Sequence, residues 1–329
     1  MKTLTIASIM VAASLITVAA FVIITNSDDR KECDVVVTMG WQKEMVDTIS
    51  EGQLKTVVMM PANANPHVPS SSASSIQYLF NATLFIEIGS GVEWEEAMLT
   101  QSVRSDLRRS DTAIVSCMDM LGLGHDHDHD DCGHNHNSHI WANPVYLRTI
   151  AEELKDVLLE HFPWLGEDAE HGLDYYLNEM GHGGLNHMIQ LIDRMITGRG
   201  VWLPAEPGQT IFVWHNAWDP LMDLFNERAN VLLEPEDPFG GDNPFIKVVS
   251  GERGIGDTPT VSDIGAYFGT PGQNSKVFVS PFDAASQYSA MFEQAGYEVV
   301  LINPTAEDWL NQLDTFLHDL RSSLCERSM

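Results

Sequence analysis

Positive charge is scarce in this chain. Its 329 residues hold 18 Lys and Arg against 47 Asp and Glu, a net charge of −29. A nucleic-acid duplex or an anionic membrane surface would repel such a chain, whereas a cation would be drawn to it. Cysteine is also sparse. Cys33, Cys117, Cys132 and Cys325 show no C-x-x-C spacing, so a zinc knuckle is excluded and no disulfide pairing is specified. The H-E-x-x-H pattern of zinc peptidases is missing. The glycines from Gly251 to Gly256 lack the strand–turn–helix context of a phosphate loop. No internal sequence repeat is visible.

Histidine is abundant in one place. Residues 124–138 hold His125, His127, His129, His134 and His136, interleaved with Asp126, Asp128, Asp130 and Asp131, and His139 follows directly. The segment has no apolar periodicity, so it predicts a loop, and its composition reads as weak, multiple metal binding. A chain that must be ordered residue by residue around an ion loses entropy at each step. A selective site therefore needs further ligands on rigid elements.

The rest of the chain supplies such elements. Residues 1–33 form a signal peptide or an N-terminal membrane anchor with its linker. The uncharged run from Leu4 to Thr25 is at the upper end of signal-peptide length, and we read it as an anchor in preference to a cleaved signal. Everything after it is expected outside the membrane. Residues 34–162 alternate strand and helix: strands at Asp34–Thr38, Leu54–Met60, Thr83–Ile88 and Thr112–Val115, helices at Trp41–Glu51, Ser71–Phe80, Glu93–Gln101 and Pro144–His161. Residues 163–198 carry helical spacing without a strand-like run. They predict one long connecting helix, weakened at Gly181-His182-Gly183-Gly184. Alternation resumes over residues 199–329, with strands at Thr210–Trp214, Asn230–Leu233, Lys276–Val279 and Tyr297–Ile302. Helices are expected there at Pro220–Glu227, Val261–Phe268, Ala284–Gln294 and Glu307–Leu324, and Glu234–Gly256 is expected to be a loop. The fold class is α/β: two lobes, each a mainly parallel sheet with flanking helices, joined by the long helix.

Ligands of open α/β sheets bind beyond the carboxyl ends of the strands. Four metal-capable residues fall there: His67 and His139 in the first lobe, His215 and Asp283 in the second. Three imidazoles and a carboxylate suit tetrahedral Zn²⁺ in the cleft between lobes. His182 and His187 are five apart on a helix and read as surface or packing residues. The acids of Glu93-Trp94-Glu95-Glu96 open a helix, where they suit its dipole.

These residues resemble a family, the metal-binding solute-binding proteins of zinc- and manganese-type ABC transporters. The pieces are Asn65-Pro66-His67, Gly89-Ser90-Gly91-Val92-Glu93, His139-Ile140-Trp141-Ala142-Asn143-Pro144, the long connecting helix, and Val213-Trp214-His215-Asn216-Ala217. The resemblance covers about Asp34 to the C-terminus. It implies metal held between two bridged lobes, delivery to an ABC permease with its ATPase, an extracytoplasmic location and no enzymatic activity. His215 at the third position and the His-rich insertion point to the zinc branch, with Zn²⁺ preferred to Mn²⁺. The chain departs from the family at Asn137-Ser138, where Asp-Pro is usual, and at Val68, where Asp is usual. Contacts behind both histidines are therefore expected to differ. A monomer is expected. A metal-binding adhesin or surface metal buffer on the same fold is the alternative, with a zinc-dependent hydrolase behind it.

Overall fold

The structure is a computed structural model. It describes residues 33–325 apart from 62–63, 66, 69–72, 90–91, 124–136, 199–204, 206, 214–215, 237, 240–243, 251–259, 270–275, 281–288 and 304. The N-terminal apolar run and the His-rich loop thus lie outside the described residues. No helix among the described residues is long and apolar enough to cross a membrane.

In chain order the first half runs β1 (Val35–Val37), α1 (Gly40–Ile49), β2 (Thr56–Val58), α2 (Ala73–Asn81), β3 (Leu84–Glu87), α3 (Glu93–Met98), α4 (Gln101–Leu107), β4 (Ala113–Ser116) and α5 (Cys117–Met120). Then come α6 (Pro144–His161), α7 (Gly166–Asn178) and α8 (Gly184–Thr197). The second half runs β5 (Gln209–Val213), α9 (Asp219–Leu233), β6 (Ile246–Ser250), α10 (Val261–Phe268), β7 (Lys276–Val279), α11 (Ser289–Gln294), β8 (Glu298–Leu301) and α12 (Trp309–Leu324).

Each half builds a four-stranded sheet, ordered β2-β1-β3-β4 and β6-β5-β7-β8, with every pairing parallel. Each order places the half's first strand second in the sheet and its second strand at the edge. The chain reverses direction across the sheet beside β1 and again beside β5. Val35, Val36 and Val37 are wholly buried, as a parallel strand covered on both faces requires.

Four expectations change. The connecting segment is two helices, α7 and α8, rather than one. Gly181, Gly183 and Gly184 between them have φ of 64°, 125° and 68°, which an α-helix cannot contain. A Cβ on Gly184 would lie 2.4 Å from the Leu177 carbonyl. The strand expected at Asn230–Leu233 is the last turn of α9. Its β-branched character is weak, and helix propagation from Asp219-Pro220 overrides it. The loop expected over Glu234–Gly256 contains β6, whose Ile246-Lys247-Val248-Val249 run pairs with β5. The acids and glycines before it mask that short signal. The helix expected at Glu93–Gln101 is also divided, because Leu99 leaves helical geometry and the Thr100 hydroxyl caps α4.

The two halves meet through tryptophan. Trp41 of α1 stacks on Trp141 with centroids 6.3 Å apart, and Trp218 stacks on Trp309 at 6.0 Å. The Trp309 indole donates to the Trp141 carbonyl at 2.7 Å, joining the pairs. Asn143 caps α6 by accepting from the Val145 and Tyr146 amides, and its amide donates to the Pro220 carbonyl at 3.0 Å. The Glu44 carboxylate of α1 accepts the Leu310 amide of α12 at 3.0 Å.

Burial pushes the Glu44 carboxyl from its ordinary value of 4.5 up to about 8, and Asp308 adds to the rise, while the Leu310 and Trp309 amides oppose it. The folded chain therefore keeps a proton that the unfolded chain releases above pH 4.5. Stability should fall as pH climbs from there to about 8, and stay low above it. Glu44→Gln retains an acceptor for Leu310 and removes that dependence. Relative to wild type it should be near neutral in acid and stabilising by on the order of 2–4 kcal/mol above pH 8. Denaturant melts across pH measure the gap, and a gap that does not widen with pH contradicts the assignment.

Candidate metal centre

His67 and His139 are brought together from opposite ends of a long stretch of sequence. Each is held by the same local device. Asn65 Oδ1 accepts the His67 amide at 2.9 Å, and Asn137 Oδ1 accepts the His139 amide at 3.0 Å. An Asn two residues upstream closes a small side-chain turn that sets the backbone at the histidine. The recurring Asn-x-His pattern is visible in the sequence, at Asn65-Pro66-His67 and Asn137-Ser138-His139.

The rings face one another with their Nε2 atoms 3.2 Å apart and centroids at 5.1 Å. Each Nδ1 points at an oxygen. Glu93 Oε2 lies 2.8 Å from His67 Nδ1, and Asn137 Oδ1 lies 2.7 Å from His139 Nδ1. A carboxylate and an amide oxygen can only accept, so both Nδ1 atoms carry the proton. In the neutral tautomer both Nε2 atoms then present lone pairs to the same space. Two bare nitrogens at this distance repel unless a proton or a cation lies between them. Two ligands of one tetrahedral zinc, each about 2.0–2.1 Å from the ion, stand about 3.3 Å apart. The separation found suits that bite.

The two histidines differ in setting. His139 is 3% exposed and packs on Trp141, its ring centroid 5.1 Å from the indole, so the tryptophan pairs form its floor. His67 is partly open, and Glu93 beside it is 55% exposed. The departures from the family at Asn137 and Val68 now have an account. Asn137 itself takes the Nδ1–H that a carboxylate would otherwise take. Val68 is exposed, and Glu93, from the segment after β3, serves His67 in its place.

Behind Glu93 lies a second carboxylate. Glu95 is buried and accepts from the Thr38 hydroxyl, from the Ile88 amide at 2.8 Å and from the Gly89 amide at 2.8 Å. Burial pushes its carboxyl up to about 7, against the pull of those three donors. Glu93 and Glu95 are what reading these acids as helix-dipole partners missed. Their proximity to glycines after a strand end was the available signal.

His215 and Asp283 lie outside the described residues, as do His125, His127, His129, His134 and His136. Among the described residues no group of three His, Cys, Asp or Glu side chains converges as for an ion. His182 Nδ1 donates to the Asp314 carboxylate at 2.6 Å, and His187 has its imidazole pushed below its ordinary pKa by burial. Cys117 is a buried thiol pushed up to about 12 by desolvation and is inert as a ligand there.

Two parallel sheets with flanking helices, imidazoles gathered past the strand ends of one and the chain doubling back through paired helices, define a two-lobed α/β fold. The sequence model of the family described as "Zinc-uptake complex component A periplasmic", ZnuA, matches residues 35–182. No curated protein matches the chain in sequence. Solved structures do match in fold. A crystal structure of ZnuA superposes with a TM-score of 0.64 at 18% identity, covering 89% of this chain and 99% of that one. The Zn(II)-bound ZnuA-like domain of Streptococcus pneumoniae AdcA gives 0.63 at 13% identity, over 89% and 98%. A Mn-bound periplasmic metal binding protein from Candidatus Liberibacter asiaticus gives 0.60 at 12% identity, over 89% and 100%. The resemblance read from the motifs is thus borne out, and the family and its structural neighbours are solute-binding proteins rather than enzymes.

Proposed function

We propose that this chain captures Zn²⁺ outside the membrane and hands it to an ABC permease driven by its ATPase. The observation that carries this reading is the Nε2–Nε2 separation of 3.2 Å with both Nδ1 protons held by fixed acceptors. Holding the proton on Nδ1 readies Nε2 for an ion before the ion arrives, which lowers the reorganisation needed to bind. His215 is the third ligand in this reading, and Asp283 or water the fourth. The ion is cargo, so four protein ligands and a closed site are no handicap.

Nitrogen donors favour zinc over manganese, which prefers oxygen. The neighbours include zinc-bound and manganese-bound proteins, so the choice rests on the donor set. Competition titration of metal-free protein should give zinc binding tighter than manganese by several orders of magnitude. Comparable affinities would replace zinc by manganese as the cargo.

The His-rich loop gathers zinc weakly and raises its concentration near the cleft. Deleting residues 126–135 should abolish the weak sites in calorimetry and leave the tight one. Loss of the tight site with the loop would mean that a loop histidine completes it.

A further inference from the structure

We propose that Glu95 is the positioning residue of the first lobe's half of the site, acting on His67 through Glu93. The argument starts from what surrounds the carboxylate. Thr38 follows β1, Ile88 and Gly89 follow β3, and Glu95 lies in α3, so one side chain ties two strand ends to the helix that carries Glu93. An ionisable group this deeply buried, with no cation among its hydrogen-bond partners, is costly to keep unless its acceptors are needed.

Two oxygens receiving three donors set the position of α3 relative to the strand ends in a way an apolar side chain cannot. The approach is close. Gly89 has φ +78°, and a Cβ there would lie 2.1 Å from Ser116 Oγ at the end of β4. The amide of Gly89 thus faces Glu95 while its α-carbon rests on the neighbouring strand. Trp94, between the two acids, is 1% exposed and anchors the helix from its other side. With α3 held, Glu93 reaches His67 Nδ1 at 2.8 Å although Glu93 itself stands half in solvent. An exposed carboxylate on an unanchored turn would not hold one rotamer against water.

The zinc arm of the test rests on the function proposed above, but the tautomer of His67 does not. Long-range 15N–1H spectra of the metal-free protein, with His67 assigned by its loss in His67→Gln, report which ring nitrogen carries the proton. Wild type should show Nδ1–H. Glu93→Gln and Glu95→Gln should each give a mixture of tautomers and a tenfold or larger loss of zinc affinity. The double variant should bind no more weakly than the worse single one, because both act along one path. An unchanged His67 spectrum in folded Glu95→Gln, or additive losses in the double variant, would overturn the proposal. If Glu95→Gln does not fold, Thr38→Val alone decides. A shifted tautomer supports the proposal and an unchanged one overturns it. A chain that shows the tautomer coupling but binds no zinc would sink the zinc reading and leave this one standing.

Discussion

Replacing His139 with alanine should lower zinc affinity at least about a hundredfold, since losing only a partner behind a ligand already costs about 10–100-fold. His139 is the buried member of the pair, and its ring lies between His67 and the Trp141 indole. Its removal deletes a nitrogen ligand from the buried side of the site, where the Trp141 indole offers no lone pair in its place. His67→Ala should also weaken binding strongly, though by less, because its more open position lets water stand in for the lost nitrogen. Chelator competition on both variants, with thermal melts to confirm folding, measures the difference. Affinity close to wild type in either variant would remove that histidine from the site.

The largest loss of stability should come far from the metal, at Gly172. This glycine lies in α7, where it meets α1 so closely that a Cβ would stand 2.4 Å from the Ile49 carbonyl oxygen and 2.5 Å from that of Thr48. Both obstacles are backbone at the end of α1, so no side chain can rotate aside. Gly172→Ala must push the two helices apart or unwind an end, and should destabilise the protein by on the order of 3 kcal/mol or more. Intrinsic helix propensity alone would make the same change favourable by about 1 kcal/mol, so the sign tests the close approach directly. A denaturation midpoint equal to or above wild type would refute it. Since α1 carries Trp41 and Glu44 to the second half of the molecule, zinc binding in this variant should fall along with stability.

Much of the architecture was legible in the chain. Val35-Val36-Val37 can be little other than a buried strand, and Pro144 to His161 is a helix announced by its Asn-Pro start and its apolar spacing; the structure places α6 over those same residues. Parallel pairing followed from the alternation of strands and helices. The errors share a cause. The break at Gly181–Gly184, the end of α9 and strand β6 are settled by φ angles and by neighbours that sequence periodicity does not carry.

The sequence by itself determined the α/β class with its parallel sheets, and it named the candidate ligands. The excess of acid favours a cation as partner, and His67 and His139 were named as candidates from their positions past strand ends. Only the tertiary structure decided how those imidazoles are prepared. It set their Nε2 atoms 3.2 Å apart, gave one Nδ1 proton to Glu93 and the other to Asn137, and placed Glu95 behind Glu93. The physical reason is that strand and helix positions follow from local propensity and burial. A ring's tautomer depends on which acceptor lies within hydrogen-bonding reach, and His67 and Glu93 meet across 26 residues of chain.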